Sequence, residues 1–366
     1  MAKKRKKKKN NVRFFGVTSR VLMLIVAGLL ILSYLSVLVN PAKAWGLSIV
    51  GLCFVPLSVV NLLLLIWAVK RRSRSFIIPL LVLLPSFFFF GRYVQLGSSE
   101  VETSQDPELK VVSYNVGRFA LHGSETGISG RRQCADSIFT FLRKQDADII
   151  CLQEFRISDV NKVRSYLHSQ MKGYKVDFYL FPSKNGSAFG NVTLSRIPVK
   201  EKGKITFEKS ANLAIYTDYE LKGRRFRVYN CHFESYNISL PGILRGLLSA
   251  DKTAVHEAGT KMKRSITRRP KQVDKVFSDI EKCPVEAFVC GDFNDNPMSY
   301  SYYRMTRGRK DSFVEAGSGF GATFSKMWPF LRIDYILLPD RFRAVDHQTP
   351  RISFSDHYPV ITTIEL

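Results

Sequence analysis

The stretch Phe288-Val289-Cys290-Gly291-Asp292-Phe293-Asn294-Asp295-Asn296-Pro297 decides how the larger part of this chain folds. An apolar run stops at a glycine and delivers Asp292 and Asn294, two residues apart, before Asn296-Pro297 turns the chain away. Gly and Asn-Pro punctuate local structure, so the run predicts a strand that ends in a polar turn. A carboxylate there is held rigidly by the sheet but sits at its mouth, a position that suits a ligand for a hard cation.

The same pattern recurs on both sides of this stretch. Val111-Val112-Ser113-Tyr114-Asn115 ends a strand at Asn115, and Ile149-Ile150-Cys151-Leu152-Gln153 runs into Glu154. Val228-Tyr229-Asn230-Cys231 leads to His232. Asp334 stands just before the run Tyr335-Ile336-Leu337, and Asp356-His357 just before the last strand. Any one of these alone reads as a solvated strand end; together they form a site. β-branched and aromatic runs predict strands at 109–116, 147–153, 176–181, 211–219, 225–232, 286–290, 322–325, 333–338 and 360–365. Amphipathic stretches predict helices at 130–145, 158–170 and 253–282. So many strands with few helices fit two packed sheets with helices outside.

Carboxylates for a metal, two imidazoles for proton traffic and amides for phosphate oxygens are what metal-assisted attack of water on a phosphate ester needs. In order, Ser-Tyr-Asn-Val, Asp-x-Asp-Ile-Ile-x-Leu-Gln-Glu, Asn-x-His-Phe, Gly-Asp-Phe-Asn, Arg-Ile-Asp-Tyr-Ile and Ser-Asp-His-Tyr-Pro-Val resemble the endonuclease/exonuclease/phosphatase superfamily over residues 109–366. Gly190-Asn191-Val192-Thr193-Leu194-Ser195-Arg196-Ile197-Pro198 is similar to a recurrent family segment. The resemblance implies an α/β four-layer sandwich of two packed mixed β-sheets flanked by helices. It implies Mg²⁺ or Mn²⁺ on Glu154, with Asn115 close to the metal and Asp356 completing that side. His357, oriented by Asp334, would be the base or polarise the phosphate. Asp292 would position or deprotonate the water, Asn294 would hold water or a phosphate oxygen, and His232 would donate to the phosphate or leaving oxygen. The identity of the base and the number of metal ions stay open.

Two features depart from the family pattern. Asn230-Cys231 precedes His232 where a Thr is common, and the tyrosine that nuclease members place near the phosphate has only Tyr229 and Tyr236 as candidates. The missing tyrosine, with the apolar stretch 240–248, leans toward a phospholipid head group or a small phosphoester over nucleic acid as substrate. A non-catalytic binding module on the same fold is the alternative. Arg264, Arg268 and Arg269, in a basic helical stretch, are the candidate substrate-binding cations, against a solvated face. Residues 240–248 read as core or as an apolar lip at a bilayer. Trp328-Pro329-Phe330 reads as lining the pocket or, more simply, as packing against the sheet edge. Cys151, Cys231 and Cys290 lie in apolar strands and are expected to be buried, with no disulfide framework. The sequence points to no protein partner.

The first 99 residues hold 15 of the 55 Lys and Arg and none of the 31 Asp and Glu. A basic tail (1–20) precedes a membrane region (21–96) expected to hold three transmembrane helices, within 21–39, 46–69 and 76–96. Ala42-Lys43-Ala44 resembles a signal cleavage site, yet 19 apolar residues exceed the usual core of about 7–15 and a second apolar run follows at once. A polar linker (97–108) then leads to the body. The positive-inside rule places the tail in the cytoplasm and the body on the extracytoplasmic side of the plasma (inner) membrane. If the third run only dips into the bilayer, the body is cytoplasmic.

Overall fold

The computed structural model describes residues 2–97, 108–120, 128–183, 186–236 and 252–366, with backbone alone at 2–15, 128, 252 and 254–255. The linker expected at 97–108, except for its two ends, and the apolar segment 240–248 lie outside the described residues. The chain divides into two compact units, 1–91 with 298–300 and 92–297 with 301–366.

The first unit is helical: α1 (Ala2–Leu35), α2 (Trp45–Leu52), α3 (Phe54–Lys70), α4 (Ile77–Leu83) and α5 (Ser86–Phe90). Tyr34 ties α1 to α4 and α5, donating to the Val82 carbonyl at 2.7 Å and stacking on Phe89. Among the described residues one helix, Gly16–Leu35, is long and apolar enough to cross a membrane. The second apolar run is a bent pair, α2 and α3, which meet at Cys53 at 58° and are long and apolar enough to cross only if taken as one span. The next expectation is corrected. The third does not reach 96: its helix ends at Phe90, with Pro79 and Pro85 each removing a backbone donor. Val94–Gln95 is instead a strand, β1, of the second unit, which begins at Arg92, ahead of the expected boundary at Leu109.

The second unit is a sandwich of two six-stranded mixed sheets. β2 (Glu108–Asn115), β3 (Ile149–Ile157), β4 (Lys175–Pro182), β5 (Ala188–Ser195), β13 (Arg343–Gln348) and β14 (Val360–Glu365) form one, in the order β13-β14-β2-β3-β5-β4. β6 (Val199–Thr206), β7 (Leu213–Leu221), β8 (Arg224–His232), β9 (Glu286–Asp292), β10 (Arg309–Asp311) and β12 (Asp334–Pro339) form the other, in the order β10-β12-β9-β8-β7-β6. The short β11 (Gly319–Phe320) pairs with β1. Each large sheet has one parallel pair, β2 with β3 and β8 with β9.

Strands covered on both faces must be apolar on both, and these are. Val111, Ile149, Val228, Phe288 and Ile336 point into the core between the sheets. Their neighbours Val112 and Ile150 face a second core with α6 (Ile128–Gln145) and α7 (Val163–Gln170). Tyr229, Val289 and Leu337 face a third, against Val273, Val276 and Phe277 of α8 (Lys252–Glu281). Cys151, Cys231 and Cys290 are buried among them. The strand expected at 322–325 is not formed; Phe324 makes one bridge to His357, and a 3-10 turn follows at Ser325–Met327.

Candidate active site

Strand direction assembles the site. The parallel pairs end together, so Asn115 and Gln153 close one sheet while His232 and Asp292 lie side by side in the other. β12 runs antiparallel to β9, so its first residue, Asp334, stands opposite Asp292. β14 runs antiparallel to β2, which brings its approach, with His357, to the same end. His232, Asp292 and Asp334 thus form a row across three adjacent strands.

His357 donates from Nδ1 to Asp334 Oδ2 at 2.9 Å, taking the imidazole as the donor, and its Nε2 lies 3.9 Å from Asp292 Oδ2. Burial by itself would lower the His357 pKa, but the carboxylates of Asp334 and Asp292 outweigh it and hold it up at about 10. Asp292 accepts from the Asn294 amide at 2.7 Å, from Asn115 Nδ2 at 2.9 Å and from Asn294 Nδ2 at 3.1 Å. Burial, then the charge of Asp334, push its carboxyl up to about 7 despite those donors. Asp292, Asp334 and His357 can each bring a ligand atom within 4.8 Å of the others.

Glu154 lies where the register of β3 and β5 shifts, with φ 51°. Its Oε2 pairs with Arg118 Nε at 3.0 Å, and its Oε1 lies 3.6 Å from His232 Nε2. His232 is buried, and its Nε2 makes no hydrogen bond although Asp292 Oδ2 lies 3.9 Å away. Burial lowers its pKa, with Glu154 opposing. The oxygens of Glu154 and Asp292, from two sheets, with the Asn115 amide beside them, are the donors that fit a hard divalent cation, and the unpartnered His232 nitrogen faces the same space. Asp356 turns one oxygen to Lys326 Nζ at 3.1 Å.

The three arginines separate. Arg264 is exposed. Arg268 lies 3.7 Å from Glu234. Arg269 is buried, donates to the Glu234 carbonyl at 2.8 Å and pairs with Asp295 at 3.1 Å, which takes it out of any solvated face. Tyr229 bonds Asp279 in the core under α8, whereas Tyr236 stacks on Arg269 and donates to Asp295 in the Gly291 turn. Trp328 packs edge-on against Phe320 of β11, with Arg351 over the indole, and stays partly open, while Phe330 is 51% exposed. Sequence reasoning missed a buried amide strut beneath the site. Asn230 Nδ2 donates to the Val192 carbonyl, Asn191 Nδ2 to the Asn230 carbonyl and Gln153 Nε2 to Asn230 Oδ1, so the two sheets are locked together. The signal was present in Asn230, an amide in an otherwise apolar strand.

The sequence model of the Endonuclease/Exonuclease/phosphatase family matches residues 112–357. The chain belongs to that family. Its members generally hydrolyse phosphate esters and typically use divalent metals. A second family model, for a domain of unknown function, matches residues 13–93. No curated protein sequence matches the chain. Among solved structures, an endonuclease/exonuclease/phosphatase from Beutenbergia cavernae superposes with a TM-score of 0.52 at 17% identity, over 71% of this chain and 72% of that one. A family protein from Leptotrichia buccalis gives 0.51 at 17% identity, over 70% and 100%. The human Nocturnin catalytic domain with bound sulfate gives 0.50 at 18%, over 70% and 93%. These likenesses show the two-sheet endonuclease/exonuclease/phosphatase fold.

Proposed function

We propose that this chain is a membrane-anchored hydrolase of phosphate esters that works with Mg²⁺ or Mn²⁺. The observation that carries the reading is the row His232–Asp292–Asp334 with His357 hydrogen-bonded to its end. Glu154 and Asn115 would hold the ion, with Asp356 on the same side; the ion supplies Lewis-acid polarisation of the phosphate. Asp292, its carboxyl up near 7, is suited to take the proton of an attacking water near neutral pH. Asn294 holds that water through Asp292, His357 presents its free nitrogen to the phosphate, and His232 donates to a phosphate or leaving oxygen.

The anchor reading is supported by Gly16–Leu35 and by outward-facing side chains such as Leu24, Leu63 and Leu81, which a water-facing unit rarely gathers. The catalytic unit then lies on the extracytoplasmic side of the plasma (inner) membrane. The substrate is a nucleic acid, a phospholipid head group or a small phosphoester, and Arg264 is the arginine left exposed for it. The test is turnover by the full chain in detergent on DNA, RNA, sphingomyelin, phosphoinositides and nucleotides. Turnover of one class should vanish with EDTA and return with Mg²⁺ or Mn²⁺. Turnover that survives thorough chelation would sink the metal mechanism, and binding without any turnover would leave a binding module.

A further inference from the structure

The contact between Arg118 and Glu154 looks at first like an ordinary surface ion pair, and such pairs contribute little. Its mounting says otherwise. Arg118 has φ 57° and Glu154 φ 51°, so two non-glycine residues facing each other both hold the left-handed conformation that L side chains avoid. Such conformations persist where the surroundings over-determine them, and they gather at sites that bind ligands.

The surroundings of Arg118 do fix it. On one side Phe119 is buried against Phe139 and Phe155. On the other, Gly117 donates its amide to Asn115 Oδ1 at 3.0 Å. A Cβ on Gly117 would stand 3.0 Å from Ser355 Oγ and 3.2 Å from Asp356 Oδ1, so the turn is pressed against the loop that carries His357. The guanidinium rests over the Phe189 ring, 4.9 Å from its centre. Half of the Arg118 side chain remains open to solvent, beside a carboxylate that also faces His232.

We propose that Arg118 is a phosphate-binding residue of this site, and that it holds Glu154 until a divalent ion claims that carboxylate. The inference rests on the metal-dependent reading above. A guanidinium presents parallel N–H donors that match two oxygens of a phosphate. A pocket that already gathers Glu154, Asp292, Asp334 and Asp356 needs such a cation to accept an anionic substrate. A carboxylate oxygen engaged by a metal no longer accepts fully from Nε; the guanidinium, still seated on Phe189, then has its donors free for the phosphate at the mouth.

The test uses the full chain in detergent, with Mn²⁺ and inorganic phosphate as probes, read by calorimetry on wild type, R118A and R118K. R118A should bind Mn²⁺ several-fold more tightly, because a competing cation is gone, and phosphate on the order of tenfold more weakly, because charge-assisted donors are lost. R118K should keep the competition with Mn²⁺ while recovering only part of the phosphate affinity. For a turned-over substrate, KM should rise more than kcat falls. Both dissociation constants unchanged in R118A, with only melting temperature lowered, would overturn the proposal and leave the pair a brace. Wild type that binds no Mn²⁺ would refute the metal reading and the competition with it. Phosphate binding without metal by E154Q, in which the guanidinium is released from the carboxylate, against E154Q with R118A, would then still decide whether Arg118 binds the anion.

Discussion

Asp334 and His357 are both buried, and each has the other as a close partner of opposite charge. Arg332, the cation nearest Asp334 in sequence, is committed elsewhere: it pairs with Asp311 and donates to the Arg92 carbonyl at 2.7 Å. Asp334 is thereby left to the imidazole, where a carboxylate fixes the tautomer and turns the other nitrogen toward substrate. His357→Ala should abolish most turnover with the fold intact. Asp334→Asn should lose a large part of the same amount, and the double variant should be little worse than the worse single one, because residues acting as a unit are non-additive. Turnover and melting temperature of the three variants check this, and independent multiplicative losses would refute the pair. Both members were legible in the sequence, since each directly precedes an apolar strand. Arg118 was not, because nothing in Val116-Gly117-Arg118-Phe119 says that the side chain crosses to Glu154 in another strand.

At the scale of elements, the parallel pair β8–β9 is set by one glycine. Gly291 has φ 137°, and a Cβ there would lie 1.9 Å from the Cys231 carbonyl oxygen of the neighbouring strand. No rotamer relieves a clash with backbone, so Gly291→Ala must push the strands apart, at the point where they deliver His232 and Asp292. The expected cost is about 2–4 kcal/mol of stability, together with lost turnover even where the fold survives. Chemical denaturation and turnover of the purified variant measure both; an unchanged midpoint would mean the strands yield freely. Strands of this kind were readable because burial on both faces makes them continuously apolar. β6 was not: Val199–Thr206 carries Lys200, Glu201, Lys202 and Lys204 on an exposed sheet edge, where charge guards against pairing with another chain and erases the apolar signal. β13, also an edge, starts with Arg343 and holds Asp346 for the same reason.

For the whole molecule, the anchor reading carries a prediction about sidedness. Basic residues crowd the N-terminal segment and 70–74, while Glu100, Glu102, Asp106 and Glu108 follow the last apolar helix. The charge pattern predicts that a C-terminal reporter active only outside the cytoplasm gives signal, and that one active only inside stays silent. The reverse result would mean that 76–90, shorter than expected and interrupted by two prolines, fails to cross. Apolar composition announced these helices, but the bend at Cys53 and the stop at Phe90 depend on packing and backbone donors that composition does not record.

That stop has a further result. Val94 and Gln95 pair with Phe320 and Gly319, Gly321 donates to the Tyr93 carbonyl, and Arg332 takes the Arg92 carbonyl as an acceptor. The second unit therefore takes in a strand and a buried tyrosine from the far side of the 98–107 segment. A truncation that begins at Leu109 would remove part of this unit's own fold, stripping Arg332, two residues before Asp334, of a partner. Cutting the peptide bond between 97 and 108 is a different operation, because the clipped piece stays stitched in by its own backbone hydrogen bonds. A nick in 98–107 therefore leaves the second unit whole, with Arg92–Gln95 still held by the strand that it pairs with.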